Sequence, residues 1–113
     1  MSENKIYDHD GISVLELKGS ITLGRGDVTM RDRIKGLLDQ GKKKIVIDLG
    51  EVSFMDSTGL GELVAAYTTA RHQGATLKLA NLTNKIHDLL DITQLAAVFE
   101  SYDSIQEAAS SFR

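Results

Sequence analysis

Phe54-Met55-Asp56-Ser57-Thr58-Gly59-Leu60-Gly61 joins two segments of different periodicity. Before it, Ile45-Val46-Ile47-Asp48-Leu49 is a β-branched run suited to a buried strand. After it, Leu60, Leu63, Val64 and Tyr67 recur at i, i+3, i+4 and i+7, the stripe of an amphipathic helix. The octet therefore carries the chain from a sheet into a helix. Asp56, Ser57 and Thr58 are all N-cap types, so a hydroxyl cluster sits at the positive end of a helix dipole. Gly59 and Gly61 leave the first turn bare, exposing backbone N–H groups and letting another surface come close. Such a place can hold an anion, or present one serine to another protein.

Capping alone requires less. One cap residue is worth ~1 kcal/mol, and a glycine inside a helix costs ~1 kcal/mol relative to alanine. Three cap types followed by two glycines exceed what a helix start needs, and the excess marks a functional site.

Upstream, Lys5-Ile6-Tyr7 starts a strand, Asp8-His9-Asp10-Gly11 supplies turn chemistry, and Ile12 to Lys18 returns as the second arm of a hairpin. Gly19 permits a bend, after which Ile21 and Leu23 alternate with Ser20 and Thr22 as a short separate strand. Leu23-Gly24-Arg25-Gly26-Asp27 is a loop, and Asp27 is the expected N-cap of a helix bearing Met30, Ile34, Leu37 and Leu38 and closed by Gly41. Lys42-Lys43-Lys44 reads as a solvated loop before the buried strand.

Downstream, the signature helix ends near His72-Gln73-Gly74, and Thr76 to Ala80 forms another strand. Asn84 is expected to cap a helix bearing Ile86, Leu89 and Leu90. Leu95 to Tyr102 is a turn leading to a short edge strand. Ser104 and Glu107 form a capping box before a last apolar face of Ile105, Ala108, Ala109 and Phe112. Alternating β and α units predict a largely parallel sheet with right-handed crossovers, made mixed by the initial hairpin. The expectation is one α/β domain over residues 1–113, with a mixed sheet of four to five strands and about four helices.

Composition narrows the function. A chain of 113 residues with 42% hydrophobic and 26% charged residues is an ordinary globular domain. It has no cysteine, hence no disulfide framework and no thiol nucleophile, which suits a reducing cytoplasm. The N-terminus lacks the layout of a signal peptide, and no run reaches membrane-span length. Thirteen basic against sixteen acidic residues, net charge −3, are a poor footprint for nucleic acid. Protein partners are the expectation, with no membrane and no nucleic acid.

The octet closely resembles the signature of the anti-sigma-factor antagonists, the bacterial STAS-domain family: Asp-Ser-Ser/Thr-Gly-Leu/Ile after an apolar strand and before a helix. The similarity covers essentially the whole chain. The resemblance implies that Ser57 is a phosphoacceptor for a partner that is both serine kinase and anti-sigma factor. It implies a cycle in which the unphosphorylated antagonist binds that partner and releases a sigma factor, and a serine phosphatase acting on phosphorylated Ser57 restores the binding form. Asp56 would orient the hydroxyl or fix the turn, and Thr58, Gly59, Leu60 and Gly61 would be read by the kinase. Thr22, on the strand before the first helix, and Gly24 and Arg25 in the loop after it join the expected partner surface. Many phosphorylated antagonists carry Gly-x-Leu/Ile-Asp there, whereas Gly19-Ser20-Ile21 is followed by Thr22. The other reading of the same domain is a scaffold module of a larger bacterial signalling assembly, not switched at Ser57.

Enzyme chemistry finds little support. A nucleophile elbow needs glycine two residues either side of the serine, but Met55 stands before Ser57 and Gly59 after it. His9, His72 and His87 have no local cue tying them to Ser57, and no His/Cys cluster has metal-ligand spacing. Gly24-Arg25-Gly26 invites a phosphate loop, yet Thr29 breaks Gly-x-Gly-x-x-Gly and no Gly-Lys-Ser/Thr follows. The chain is expected to be a switch without catalysis, cofactor or metal.

Overall fold

The computed structural model describes residues 5–21 and 26–112, and the side chains of all of these except 20, 21 and 26–29. Strands β1 (Lys5–His9) and β2 (Ile12–Ile21) form the predicted hairpin. Asp10 and Gly11 turn between them with φ of 53° and 84°, the left-handed pair that matches strand twist. Asp8 Oδ2 accepts the Gly11 N–H at 3.2 Å, which fixes the turn from its entering side.

Helix α1 (Gly26–Asp39), strand β3 (Lys44–Met55), helix α2 (Ser57–His72), strand β4 (Thr76–Ala80), helix α3 (Asn84–Ile92), strand β5 (Ser101–Tyr102) and helix α4 (Ile105–Ser110) follow. The five strands lie in the order β1-β2-β3-β4-β5. The first pair is antiparallel and the other three are parallel, so the sheet is mixed, as the alternating pattern implied.

Period-two alternation sorts the side chains to two faces. Leu15, Leu17, Ile45, Ile47, Leu49, Leu77 and Leu79 meet Met30, Ile34 and Leu37 of α1, Leu60 and Leu63 of α2 and Ile86 of α3 in the larger core. On the opposite face Ile12, Val14, Val46 and Ala80 pack against Ala108 and Ala109 of α4. Lys78 lies under that helix, only 6% exposed. Its ammonium donates to Ser111 Oγ at 2.8 Å, faces Glu100 at 3.4 Å and sits 4.5 Å from the Phe112 ring centroid. A buried cation is tolerable only with such partners.

Three sequence expectations need correction. Gly19 does not end a strand: β2 runs on to Ile21, and Gly19, at φ 79°, absorbs a register shift inside the ladder. A bulge there bends the strand without breaking its pairing to β3. The predicted continuation through Thr22 and Leu23 lies outside the described residues. Helix α1 already includes Gly26, so Asp27 falls within its first turn rather than before it. Helix α3 is capped by Thr83, whose hydroxyl accepts the Ile86 N–H at 3.3 Å, and Asn84 is its first residue. Thr83 has the extended backbone (φ −75°, ψ 163°) that a cap requires.

Candidate functional site

The site is set by the unequal lengths of neighbouring strands. Strand β4 pairs with β3 only from Lys44↔Thr76 to Asp48↔Ala80, whereas β3 continues seven residues further alongside β2, ending at the Ile21↔Met55 pair. At the point of divergence Asp48 Oδ1 accepts from the Gly50 N–H at 2.9 Å and from Asn81 Nδ2 at 3.1 Å. Asn81 stands at φ 59°, a conformation asparagine tolerates better than most residues. This knot releases β4 toward α3 while β3 carries on to the signature.

Asp56 has an extended backbone (φ −94°, ψ −176°), and its Oδ1 accepts the Gly59 N–H at 2.8 Å. Of the three cap types, Asp56 is therefore the cap. Of the two roles open to it, it fixes the turn. Ser57 is the first helical residue and exposed, and among the described residues nothing hydrogen-bonds its hydroxyl. No acidic residue lies in the first turn of α2, and the capping carboxylate of Asp56 answers its positive end.

The rest of the signature divides by burial. Thr58 is half-buried, whereas Gly59 and Leu60 are buried, Leu60 within the main core. Gly61 is exposed, and a Cβ built on it meets nothing within 4 Å. The bare first turn thus amounts to Gly61 alone, because Gly59 faces inward and spends its N–H on Asp56. Sequence reasoning missed the side chain that ties this turn to its neighbour. Arg31 of α1 grips Glu62 of α2 in a two-pronged ion pair, with Arg31 Nε 2.8 Å from Glu62 Oε2. The two residues lie far apart in sequence, so no local pattern announces them.

Thr22, Gly24 and Arg25 lie outside the described residues. The described ladder ends at the Ile21↔Met55 pair, the last residues of β2 and β3. Among the described residues no histidine is hydrogen-bonded to Ser57: His9 faces Asp10 at 3.8 Å, His72 ends α2, and His87 Nδ1 faces Asp91 Oδ2 at 3.3 Å on α3. The sequence has no His/Cys cluster with metal-ligand spacing, and on α3 the ligand atoms of His87, Asp88 and Asp91 lie within 4.8 Å of one another. All three are exposed, and the His87–Asp91 contact is an ordinary i,i+4 surface pair. Among the described residues no helix is long and apolar enough to cross a membrane.

The STAS domain family matches residues 4–108. The anti-sigma-B factor antagonist of Bacillus subtilis is 39% identical over 71 residues, which cover 63% of this chain and 64% of that protein, a little under two thirds of its length. The anti-sigma-B factor antagonist of Listeria monocytogenes is 40% identical over 81 residues, 68% of this chain and 71% of the relative. The crystal structure of an anti-sigma factor antagonist from Mycobacterium paratuberculosis is similar with a TM-score of 0.86 at 23% identity, over 98% of this chain and 93% of that one. The Bacillus cell fate determinant SpoIIAA in its phosphorylated form gives 0.75 at 18% identity, over 98% and 100%. These structural likenesses carry the mixed five-stranded fold.

Proposed function

The chain belongs to the STAS domain family, and on that premise we propose that it is an anti-sigma factor antagonist switched by phosphorylation of Ser57. One observation carries the proposal: the hydroxyl of Ser57 is exposed at the start of α2 and is not needed to cap it, because Asp56 does so. A group at this position can be modified without dismantling the helix. The relatives that match by sequence include anti-sigma-B factor antagonists, which supports the same reading.

In this reading the unmodified chain binds an anti-sigma factor with serine kinase activity and thereby frees a sigma factor in the cytoplasm. The kinase places a phosphate on Ser57, and a serine phosphatase removes it. The partner surface comprises Asp56, Ser57, Thr58 and Gly61, with Gly59 and Leu60 shaping it from beneath. Thr22, Gly24 and Arg25, expected on the partner surface from the sequence, lie outside the described residues.

Phosphorylation adds about −1.5 to −2 charges and three acceptor oxygens at pH 7. Within the domain the helix N-terminus favours the phosphate by ~0.3–1 kcal/mol, opposed by Asp56. Against a partner carboxylate about 4 Å away each unit of added charge costs ~4 kcal/mol at an effective dielectric of 20. That is roughly a thousandfold in affinity, so the interface term dominates. Modification breaks the complex and leaves the fold in place.

The test uses the purified chain with the purified anti-sigma factor kinases of its own organism and ATP. The expected outcome is phosphate on Ser57 by mass spectrometry, roughly a thousandfold weaker binding, and recovery after phosphatase treatment. Tight binding retained by a chain fully phosphorylated at Ser57 would leave an unswitched scaffold as the better description.

A further inference from the structure

Among the described residues four large apolar side chains are exposed: Ile6, Phe54, Ile92 and Val98. Two of them, Phe54 at 46% and Ile92 at 80%, border one groove. It has a volume of about 270 Å³, with Met55, Ile86 and Leu89 among its lining and the opposite charges of Lys85 and Asp88 beside them. The groove exists because β3 outruns β4. Beyond Asp48 the strand has lost its β4 neighbour, and α3 stands on that side.

We propose that this groove is the second half of the anti-sigma factor interface and receives an apolar side chain of that partner. The proposal rests on the reading of Ser57 as the anti-sigma factor contact. Two arguments favour this occupant. The first is area. A specific interface covers about 800 Å² on each partner, and Phe54 is only three residues from Ser57, at most ~11 Å along the chain. A folded partner centred on Ser57 therefore spans the distance to Phe54, which borders the groove. The second is energy. From Asp56 to Gly61 the exposed residues are Ser57 and Gly61, which bury little apolar surface, whereas binding energy concentrates where large apolar anchors fill pockets. The Ser57 end reads the phosphate, and the groove supplies the affinity that the phosphate opposes.

The two halves make separate demands on an experiment. Phe54→Ser, Ile92→Ser and the double variant of the whole chain are titrated by calorimetry against the purified anti-sigma factor that binds the unmodified wild type. Each single change is expected to weaken binding about tenfold, and the pair about a hundredfold. In the kinase assay KM for the chain rises while kcat stays within twofold, because the Ser57 hydroxyl is unmoved. Ile92, the more exposed of the two, keeps the test valid if Phe54→Ser perturbs the strand, and circular dichroism of each variant checks the fold. Variants that bind like wild type overturn the groove's role while leaving the switch intact. A wild type that is dimeric and variants that are monomeric assign the groove to a second copy, which also overturns it. A wild type that binds no anti-sigma factor removes the reading of Ser57, and the groove's role goes with it.

Discussion

Asp56 and Ser57 are neighbours with separate duties: Asp56 Oδ1 holds the Gly59 N–H at 2.8 Å, while the Ser57 hydroxyl has no hydrogen-bond partner among the described residues. The structural load of the turn therefore rests on the carboxylate. Asp56→Ala is expected to lower unfolding free energy by ~1 kcal/mol, within the 0.5–2 kcal/mol range of lost caps. Ser57→Ala is expected to stay within ~0.5 kcal/mol of wild type and to bind the anti-sigma factor constitutively. Urea denaturation of both variants checks the contrast, and equal losses would show that the serine shares the capping.

Phosphoserine at position 57 is expected to leave the domain folded. The local terms are ~0.3–1 kcal/mol from the helix end and an opposing repulsion from Asp56, so Tm should move by less than about 5 °C. Far-ultraviolet circular dichroism of the modified chain should overlay that of the unmodified one. Ser57→Asp should weaken partner binding less than phosphate does, because it brings one charge instead of nearly two. A large loss of helix on phosphorylation would place the switch inside the fold instead of at the interface.

Gly61 and Gly36 offer a matched pair. A Cβ on either meets nothing within 4 Å, and both stand inside helices. Gly61→Ala and Gly36→Ala should each stabilise the chain by ~0.5–1 kcal/mol, the usual gain from removing a helical glycine. Only Gly61→Ala should weaken anti-sigma factor binding, because only Gly61 lies in the signature. Thermal melts and binding titrations on the two variants separate the effects. Equal affinities would mean that no partner surface approaches Gly61 closely.

Tyr7 supplies a pH dependence at the far edge of the sheet. Burial, and then the charges of Asp48 and Glu16, raise its phenol above the ordinary value of 10.0. The native state therefore holds the phenolic proton more tightly than the unfolded chain does. The corresponding stability is fully present below about pH 10 and is lost as pH rises through the higher native value. Tyr7→Phe has no such proton to lose. Above pH 10 the variant's stability should fall less steeply than that of wild type, as urea titrations at pH 9, 10 and 11 can measure.

The parts of the fold legible in the sequence are those where local chemistry and tertiary contacts agree. The turn expected over Asp8–Gly11 narrows to Asp10-Gly11, because β1 extends through His9, and the residue types of that pair suit its two left-handed φ values. The stripe Leu60, Leu63, Val64, Tyr67 announces the buried face of α2 by spacing alone. Gly19 was ambiguous because a glycine between alternating segments serves a bend or a bulge equally well, and pairing to β3 decided between them. Thr83 and Asn84 are both cap types, so only backbone angles separate them. The partners of Arg31 and Lys78 lie about thirty residues away along the chain, beyond any local signal. In the candidate site, the identity of the exposed serine was legible. The burial of Gly59 and Leu60, and the groove beside Phe54, depend on where α2 and α3 dock.

Strands stand in the sheet in the order in which they occur along the chain, β1 through β5. For a ribosome delivering the N-terminus first, each strand leaves the exit tunnel when its neighbour on one side already exists. No later strand has to be threaded between two earlier ones, and growth takes place only at the newest edge. In chain order β3 follows the hairpin and pairs with its second strand, and by the end of α2 at His72 the segment bearing Ser57 has the strand and helix that flank it. A permuted gene that opened the chain between α1 and β3 would make β3 before β2, so the hairpin would have to dock last onto a finished edge. Vectorial synthesis and spatial order coincide along this sheet.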